Sequence, residues 1–383
     1  MTTTTTSMNS NTLGTLGVQA LKDMDRSRLE RGKMLDRAGY GPQQTPSTVL
    51  HTEPGLRLRR FGPDASDGPA VLLVPAPIKR AYIWDLTPEV SVVRRWLERG
   101  YRVYQAEWVP VHDTGDGADE GAAQVAAEGA AQRAEFGLAD YGDRLLSACQ
   151  KAIEADSGES RLVIAGHSLG GVLAAIYSCM HPERVAATIL LESPLHFEPA
   201  TCCFNRLVQA TPHARDIADS FNHVPGAFLN MMSAIAEPHA FQWERIMDRT
   251  LSMFDPVALS THMRVERWTH DEFPMPGRLF TDIVESLYRN DDFMQGRLVI
   301  NGRSIGPQDL RAPLASVVDP RSKVIPLQAV VPFNQAAASP HKLVLEYEGD
   351  IGVNLQHVGV LVGRNAHARI WPAIFAWLET TAK

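Results

Sequence analysis

The feature that most constrains this chain is the pentapeptide Gly166-His167-Ser168-Leu169-Gly170, set between two apolar runs of different character. Before it, Leu162-Val163-Ile164-Ala165 is a short continuous apolar stretch, the pattern of a strand buried on both faces. After it, Val172-Leu173-Ala174-Ala175-Ile176 reads as a helix. A strand that becomes a helix within a few residues must bend sharply. Small residues flanking the bend let strand and helix pass closely, and a serine at its apex stands clear of both. The helix N-terminus then aims backbone N–H groups at any oxygen reacting there.

The same alternation extends on both sides. Residues 48–61 read as two short strands around Pro54-Gly55, and Leu56-Arg57-Leu58-Arg59-Arg60-Phe61 alternates as an exposed strand does. Strands are expected at residues 70–75, 101–108, 161–165 and 185–191, with helices at 91–99, 139–153 and after Ser168. Strands alternating with helices imply a parallel sheet covered on both faces. The pattern lapses over residues 193–311, where helical segments and turns prevail and Asn301-Gly302 marks a hairpin. It resumes with strands at 313–318 and 343–347 and a closing amphipathic helix at 366–379. The expected class is α/β: the α/β-hydrolase fold, a mostly parallel central sheet with a large, mainly helical cap inserted before the last strands. Such a cap lies over the carboxyl ends of the strands, where open sheets bind ligands.

The segments expected are a disordered N-terminus (1–14), an N-terminal helical segment (15–47), a first part of the core (48–192) with an exposed acidic insertion near 109–133, the cap (193–311), and the last strands and helix (312–383). The net charge of −7, without a basic stripe, argues against a nucleic-acid partner. The four cysteines have no Cys-x-x-Cys spacing and read as free thiols in a reducing compartment. No secretory signal and no run of 18 apolar residues is found, so the expectation is a soluble cytoplasmic chain. Without a His-Glu-x-x-His, P-loop or Gly-x-Gly-x-x-Gly motif, neither a metal nor a cofactor is expected.

Ser168 is therefore the candidate nucleophile of an acyl-enzyme. The base must follow late in the chain, because this fold orders its triad Ser, acid, His. Among thirteen histidines, His357 has the right address, after the last strand and before the final helix. Asp319, ending the strand at 313–318, is the first candidate acid; Asp350 and Glu192 are alternatives. Leu169 N–H is one candidate oxyanion donor. Pro75 and Pro77 have no N–H, which leaves Ala76 or Ile78 for the second. Tyr82, Trp84, Trp243, Phe254, Trp268 and Phe273 are candidates for an acyl pocket, although each taken singly is more ordinarily core.

Several segments resemble the polyhydroxyalkanoate synthases. They are the stretch from Val74 through Leu86, Tyr101-Arg102-Val103-Tyr104 to Trp108, Asp140-Tyr141, Val224-Pro225-Gly226-Ala227-Phe228, Glu266-Arg267-Trp268, Leu287-Tyr288-Arg289-Asn290 and Gly296-Arg297-Leu298 with Asn301-Gly302-Arg303. The resemblance is collinear over about residues 55–380. It implies an acyl-transferring α/β hydrolase in which His357 matches the family's histidine. Two departures stand out. The synthases carry cysteine where this chain has Ser168. Their acid stands four residues before a proline, which here puts Ser322 before Pro326 and displaces Asp319 by three residues. A thiolate suits repeated exchange between thioesters, whereas a serine ester suits hydrolysis or a single transfer. The resemblance thus implies a serine hydrolase or acyltransferase acting on an acyl thioester or ester, a 3-hydroxyacyl one among them, linked to CoA or a carrier protein. Its alternatives are a serine-using synthase and a catalytically inactive partner of a synthase or granule. The N-terminal helix leaves a homodimer open.

Overall fold

Short apolar runs such as Ala70–Val74, Val185–Leu191 and Leu314–Val318 form the centre of one sheet because these strands bury both of their faces. The computed structural model describes residues 10–63, 67–109, 135–198, 202–211, 213–221 and 223–381. The acidic insertion expected near 109–133 lies, but for Val109, outside these residues. Twelve strands are described: β1 Ser47–Glu53, β2 Leu56–Phe61, β3 Ala70–Val74, β4 Arg102–Trp108, β5 Leu162–His167, β6 Val185–Leu191, β7 His223–Val224, β8 Met275–Pro276, β9 Leu298–Ile300, β10 Arg303–Ile305, β11 Leu314–Val318 and β12 Lys342–Glu346. Eight of them form the central sheet in the order β1-β2-β4-β3-β5-β6-β11-β12. From β4 to β12 every pairing is parallel, and β1 and β2 join antiparallel at one edge.

Alternate residues of the strands enter two separate cores. Leu72, Val74, Ile164 and Leu190 pack on one face, while Val71, Leu73, Val163, Ala165, Ile189 and Val317 pack on the other. This two-sided burial is why β3, β5 and β6 read as continuous apolar runs rather than as alternation.

Between β6 and β11 the chain leaves the sheet for a series of helices and two small two-stranded sheets, β7 with β8 and the hairpin β9 with β10. The hairpin signal at Asn301-Gly302 is the β9–β10 turn, and both residues have positive φ. One expectation is corrected at the N-terminus. Helix begins at Ser10, not near Thr15, and continues to Leu35. It is held by the segment that follows β6: Asp25 accepts from the Ala227 N–H at 2.6 Å, and Arg28 reaches Asn230 and Glu272, each at 2.9 Å. A polar N-terminal stretch thus continues a helix whose later turns have docking partners. Among the described residues all four cysteines are free, and no helix is long and apolar enough to cross a membrane.

Candidate active site

The bend after β5 forms as its sequence requires. Ser168 has φ 56° and ψ −130°, a conformation non-glycine residues rarely adopt. The residues two positions to either side, Gly166 and Gly170, cannot carry side chains. A Cβ on Gly170 would stand 2.2 Å from the Val74 carbonyl oxygen, and one on Gly166 would stand 2.4 Å from the Gly170 carbonyl oxygen. Both contacts are to backbone, which cannot yield cheaply. The bend is pinned by Ser168 N–H donating to Leu191 O at 2.9 Å, so the serine is tied to the end of β6. The following helix, Leu169–Met180, is buried from Gly170 to Cys179. Ser168 itself keeps partial exposure.

Ser168, Leu169, Ala76, Ile78 and His357 line one cavity of about 170 Å³. The loop after β3 that carries Ala76 and Ile78 is fixed by the indole of Trp108, which donates to Pro75 O at 2.8 Å. Of the aromatics singled out in the sequence, Trp84 and Trp268 line this cavity. Trp243 and Phe254 do not belong to a pocket wall of this kind; they are 62% and 85% exposed. Tyr82 and Phe273 are buried in the two cores. An apolar chamber of about 160 Å³ adjoins the cavity and shares Ile78, Leu169, Phe204, Leu229, Ser233 and Tyr288 with it. The cap residues Phe204, Leu229 and Tyr288 are not marked as pocket residues by the sequence, because a residue from an irregular helical insertion carries no periodicity that says which wall it will face.

His357 opens the short helix Gln356–Val362. Its position depends on two contacts. The backbone carbonyl of His357 accepts from Nε2 of His167 at 2.8 Å, and the two rings lie 4.6 Å apart. The residue just before the serine therefore holds the main chain of the histidine. The loop leading to His357 is braced from the other side by Asp248, whose carboxylate accepts from Gly352 N–H at 2.8 Å and Asn354 N–H at 2.7 Å while also meeting His262 Nδ1 at 2.7 Å.

The three carboxylates considered from sequence lie in different surroundings. Asp319 lines, with His357, a neighbouring open cleft of about 450 Å³. Its Oδ1 is engaged by Arg321, from N–H at 2.8 Å and from Nε at 3.3 Å. Ser322, at the position matching the synthases' acid, uses its hydroxyl to accept the Ile325 N–H at 3.0 Å, closing the same turn. Asp350 is committed to Tyr347 OH at 2.9 Å and to the Asn365 N–H. The carboxylate the structure pairs with His357 is Glu192, with Oε2 at 3.8 Å from Nδ1. In the sequence it stands as an alternative to Asp319, since chain order admits an acid anywhere between Ser168 and His357.

Burial lowers the His357 pKa well below its ordinary value, with His167 adding to the effect. Burial likewise lowers His167 to about 4, against the opposing hydrogen bond to the His357 carbonyl. Burial lowers His367 to about 4 as well; its Nδ1 accepts from Arg95 at 3.3 Å and its Nε2 donates to Leu361 O at 2.8 Å. Both rings are thus folded in neutral form, and the unfolded chain binds protons that the folded chain refuses. The stability this contributes is fully present above about pH 6.5 and is lost as pH falls toward 4. At pH 5 the loss should be about 2 kcal/mol for each ring. The urea midpoint is expected to fall between pH 7 and pH 5, and His367→Asn should remove part of that fall; an unchanged pH slope would contradict it.

A model for the α/β hydrolase fold matches residues 118–226. The chain is 26% identical over 369 residues to the poly(3-hydroxyalkanoate) polymerase subunit PhaC of Haloferax mediterranei, covering 94% of this chain and 69% of that one. It is 23% identical over 341 residues to the corresponding PhaC subunit of Allochromatium vinosum, covering 88% of each. Among solved structures, a lipase candidate from Sulfolobus solfataricus superposes with a TM-score of 0.51 at 16% identity, over 87% of this chain and 93% of that one. The structural likeness speaks for the fold, and the sequence likeness for the kind of enzyme.

Proposed function

From an α/β-hydrolase-fold enzyme similar along most of its length to the polyhydroxyalkanoate synthases, we propose a serine acyl-enzyme mechanism: Ser168 takes an acyl group from a thioester or ester and passes it to water or to a single acceptor. The observation that carries this reading is the placement of a strained, accessible serine and a buried, neutral histidine on one cavity beside an apolar chamber.

The chemistry follows from those groups. Ser168 Oγ attacks the acyl carbonyl as its proton passes to Nε2 of His357. A neutral imidazole is needed for that step, and burial keeps it neutral. The developing oxyanion is received by the Leu169 N–H and one from Ala76 or Ile78. The imidazolium returns its proton to the departing thiolate or alkoxide, leaving the acyl group on Ser168. A water or acceptor hydroxyl, deprotonated by His357, then releases it. The polar side chains of the cavity, among them Asn230, Ser233 and Thr269, suit the carbonyl end of a substrate, and the chamber suits its alkyl end. A 3-hydroxyacyl group fits both demands.

The likeness to PhaC subunits favours a second reading, in which Ser168 supports chain growth from hydroxyacyl thioesters. Intact-protein mass spectrometry after incubation with a panel of acyl-CoAs tests the first reading and separates the two. A single acyl mass on wild-type protein, absent in Ser168→Ala, supports hydrolysis or transfer. A ladder of repeating hydroxyacyl units supports polymerisation. No adduct and no turnover with any acyl donor would overturn both. The chamber makes its own prediction. Met232 lines the chamber and not the serine's cavity. Met232→Trp is expected to lower kcat/KM for the longest accepted acyl chains by about 10–100-fold while leaving acetyl esters nearly unaffected, since lost room is felt one methylene at a time. Equal loss across chain lengths would remove the chamber from the substrate path.

A further inference from the structure

We infer that Glu192 is the carboxylate that orients His357 and stabilises its imidazolium, an assignment that rests on the serine mechanism proposed above. Glu192 follows β6 directly, and the residue before it, Leu191, accepts the Ser168 N–H. The serine and the glutamate are thereby fixed to the same strand end. Glu192 is fully buried and is held in a positive-φ conformation of 46°, which costs a non-glycine residue backbone energy. Its N–H donates to Val317 O at 2.9 Å, so the backbone at this point is set by the sheet and not by a loop.

The two carboxylate oxygens differ in what they meet. Oε1 accepts the Asp319 N–H. Among the described residues Oε2 is buried without a hydrogen-bond partner, and so is Nδ1 of His357, and these two atoms face each other at 3.8 Å. A buried polar atom left unpaired is costly, and two facing one another across a gap little wider than a hydrogen bond are a pair drawn apart. Such bonds are often long in the free enzyme and shorten when substrate binds. Asp319 makes no ion-pair contact of this kind with His357 among the described residues, and its Oδ1 is bound to Arg321 in a turn of its own.

Burial, with Asp319 adding to it, raises the Glu192 carboxyl, and burial lowers His357. Neither group holds a charge comfortably alone. When the imidazole takes the Ser168 proton, the Glu192 carboxylate supplies the opposite charge at Nδ1, and the pair is neutral overall. No bond other than the Ser168 O–H, the Nε2–H and the acyl bonds changes in this step; Nδ1 keeps its proton. Glu192 touches neither substrate nor reacting atom and is a positioning residue.

A purely structural Glu192 would serve only to accept the Asp319 N–H, and glutamine does that equally well. Glu192→Gln is therefore expected to keep the fold and KM while kcat falls about 10³–10⁴-fold, the scale seen when a triad carboxylate is made an amide. Asp319→Asn is expected to stay within about tenfold of wild type. A second measurement does not depend on turnover: the Nδ1 proton of His357 should give a strongly downfield NMR signal in the wild type and in Asp319→Asn, and lose that shift in Glu192→Gln. Glu192→Gln within tenfold of wild type, or a downfield signal that vanishes in Asp319→Asn instead, would overturn the assignment. Ser168→Ala separates this failure from that of the mechanism. If Ser168→Ala kept activity, the nucleophile would be wrong, while the NMR signal would still report whether Glu192 and His357 are paired.

Discussion

Ser168→Ala is expected to lower kcat by about 10⁶-fold toward acyl esters and thioesters while leaving the protein folded. The magnitude is that of removing the nucleophile from a serine triad, where the remaining groups still bind and polarise the substrate. The fold should survive because alanine removes one hydroxyl and no packing. It inherits the φ of 56°, so the strain of the bend is unchanged. Ser168→Gly should be equally inactive but more stable, since glycine adopts that conformation without the 1–3 kcal/mol or so of backbone cost. Steady-state rates and urea midpoints on the same preparations check both. Activity that persists in Ser168→Ala would place the chemistry elsewhere. Activity lost in Ser168→Ala with a stability gain in Ser168→Gly ties strain and catalysis to one residue, as a pre-shaped attacking position requires. Ser168→Cys extends the comparison. It keeps the bend and substitutes the better leaving group, so repeated acyl exchange should rise relative to hydrolysis.

Much of the sheet was legible because it obeys local rules. β3, β5 and β6 are apolar runs bounded by turns, and the bend at Ser168 needs small residues at fixed offsets; all of that is written within about ten residues of chain. The placement of His357 on the serine's cavity agrees with its late position in the chain, since chain order on this fold leaves few late positions. The chamber walls were not legible, because Phe204, Leu229 and Tyr288 meet only through the packing of cap helices far apart in sequence. The acid was the hardest of all. Asp319, Asp350 and Glu192 each end a strand or follow one, and nothing local separates them. What separates them is partnership: Arg321 binds Oδ1 of Asp319, Tyr347 and the Asn365 N–H take Asp350, and Glu192 sets Oε2 3.8 Å from His357 Nδ1. That last approach joins residues on either side of the whole helical insertion, and no periodicity encodes it. His167 was legible only as the variable residue of its motif. Its hydrogen bond to the His357 carbonyl joins residues 190 apart, and gives that position a role the motif alone does not suggest.

The second large effect concerns what holds the loop after β3, the proposed source of an oxyanion donor, to the rest of the molecule. Glu272 gathers two cations from separate parts of the chain: Lys79, two residues along from Pro77, and Arg28 of the N-terminal helix at 2.9 Å. All three side chains are largely out of water, with 13% exposure for Lys79, 6% for Glu272 and 17% for Arg28. Burial lowers the Lys79 pKa and Glu272 opposes it, so the ammonium depends on this one carboxylate for its charge. The ammonium also sits 4.8 Å from the centre of the Trp268 ring. Removing the carboxylate leaves two cations facing each other with their counter-charge gone. Glu272→Ala is accordingly expected to lower the unfolding free energy by about 3–5 kcal/mol, the cost of breaking a buried pair from one side. The double variant Lys79→Met/Glu272→Leu should recover part of that loss, because an apolar replacement avoids the desolvation of Lys79 and Glu272, while Arg28 keeps its bonds to Asn230 and the Thr269 carbonyl but not its counter-charge. Urea melts of Lys79→Met, Glu272→Leu and the double variant give the coupling directly; additive losses would show the pair to be independent. The double variant should nevertheless remain slower than wild type. Lys79 follows Ile78, and Ile78 and Ala76 line the serine's cavity, so a looser loop misplaces the N–H groups offered to the oxyanion. Stability regained without rate regained would mark Lys79 and Glu272 as the clamp that sets this loop, with the N-terminal helix as its third jaw.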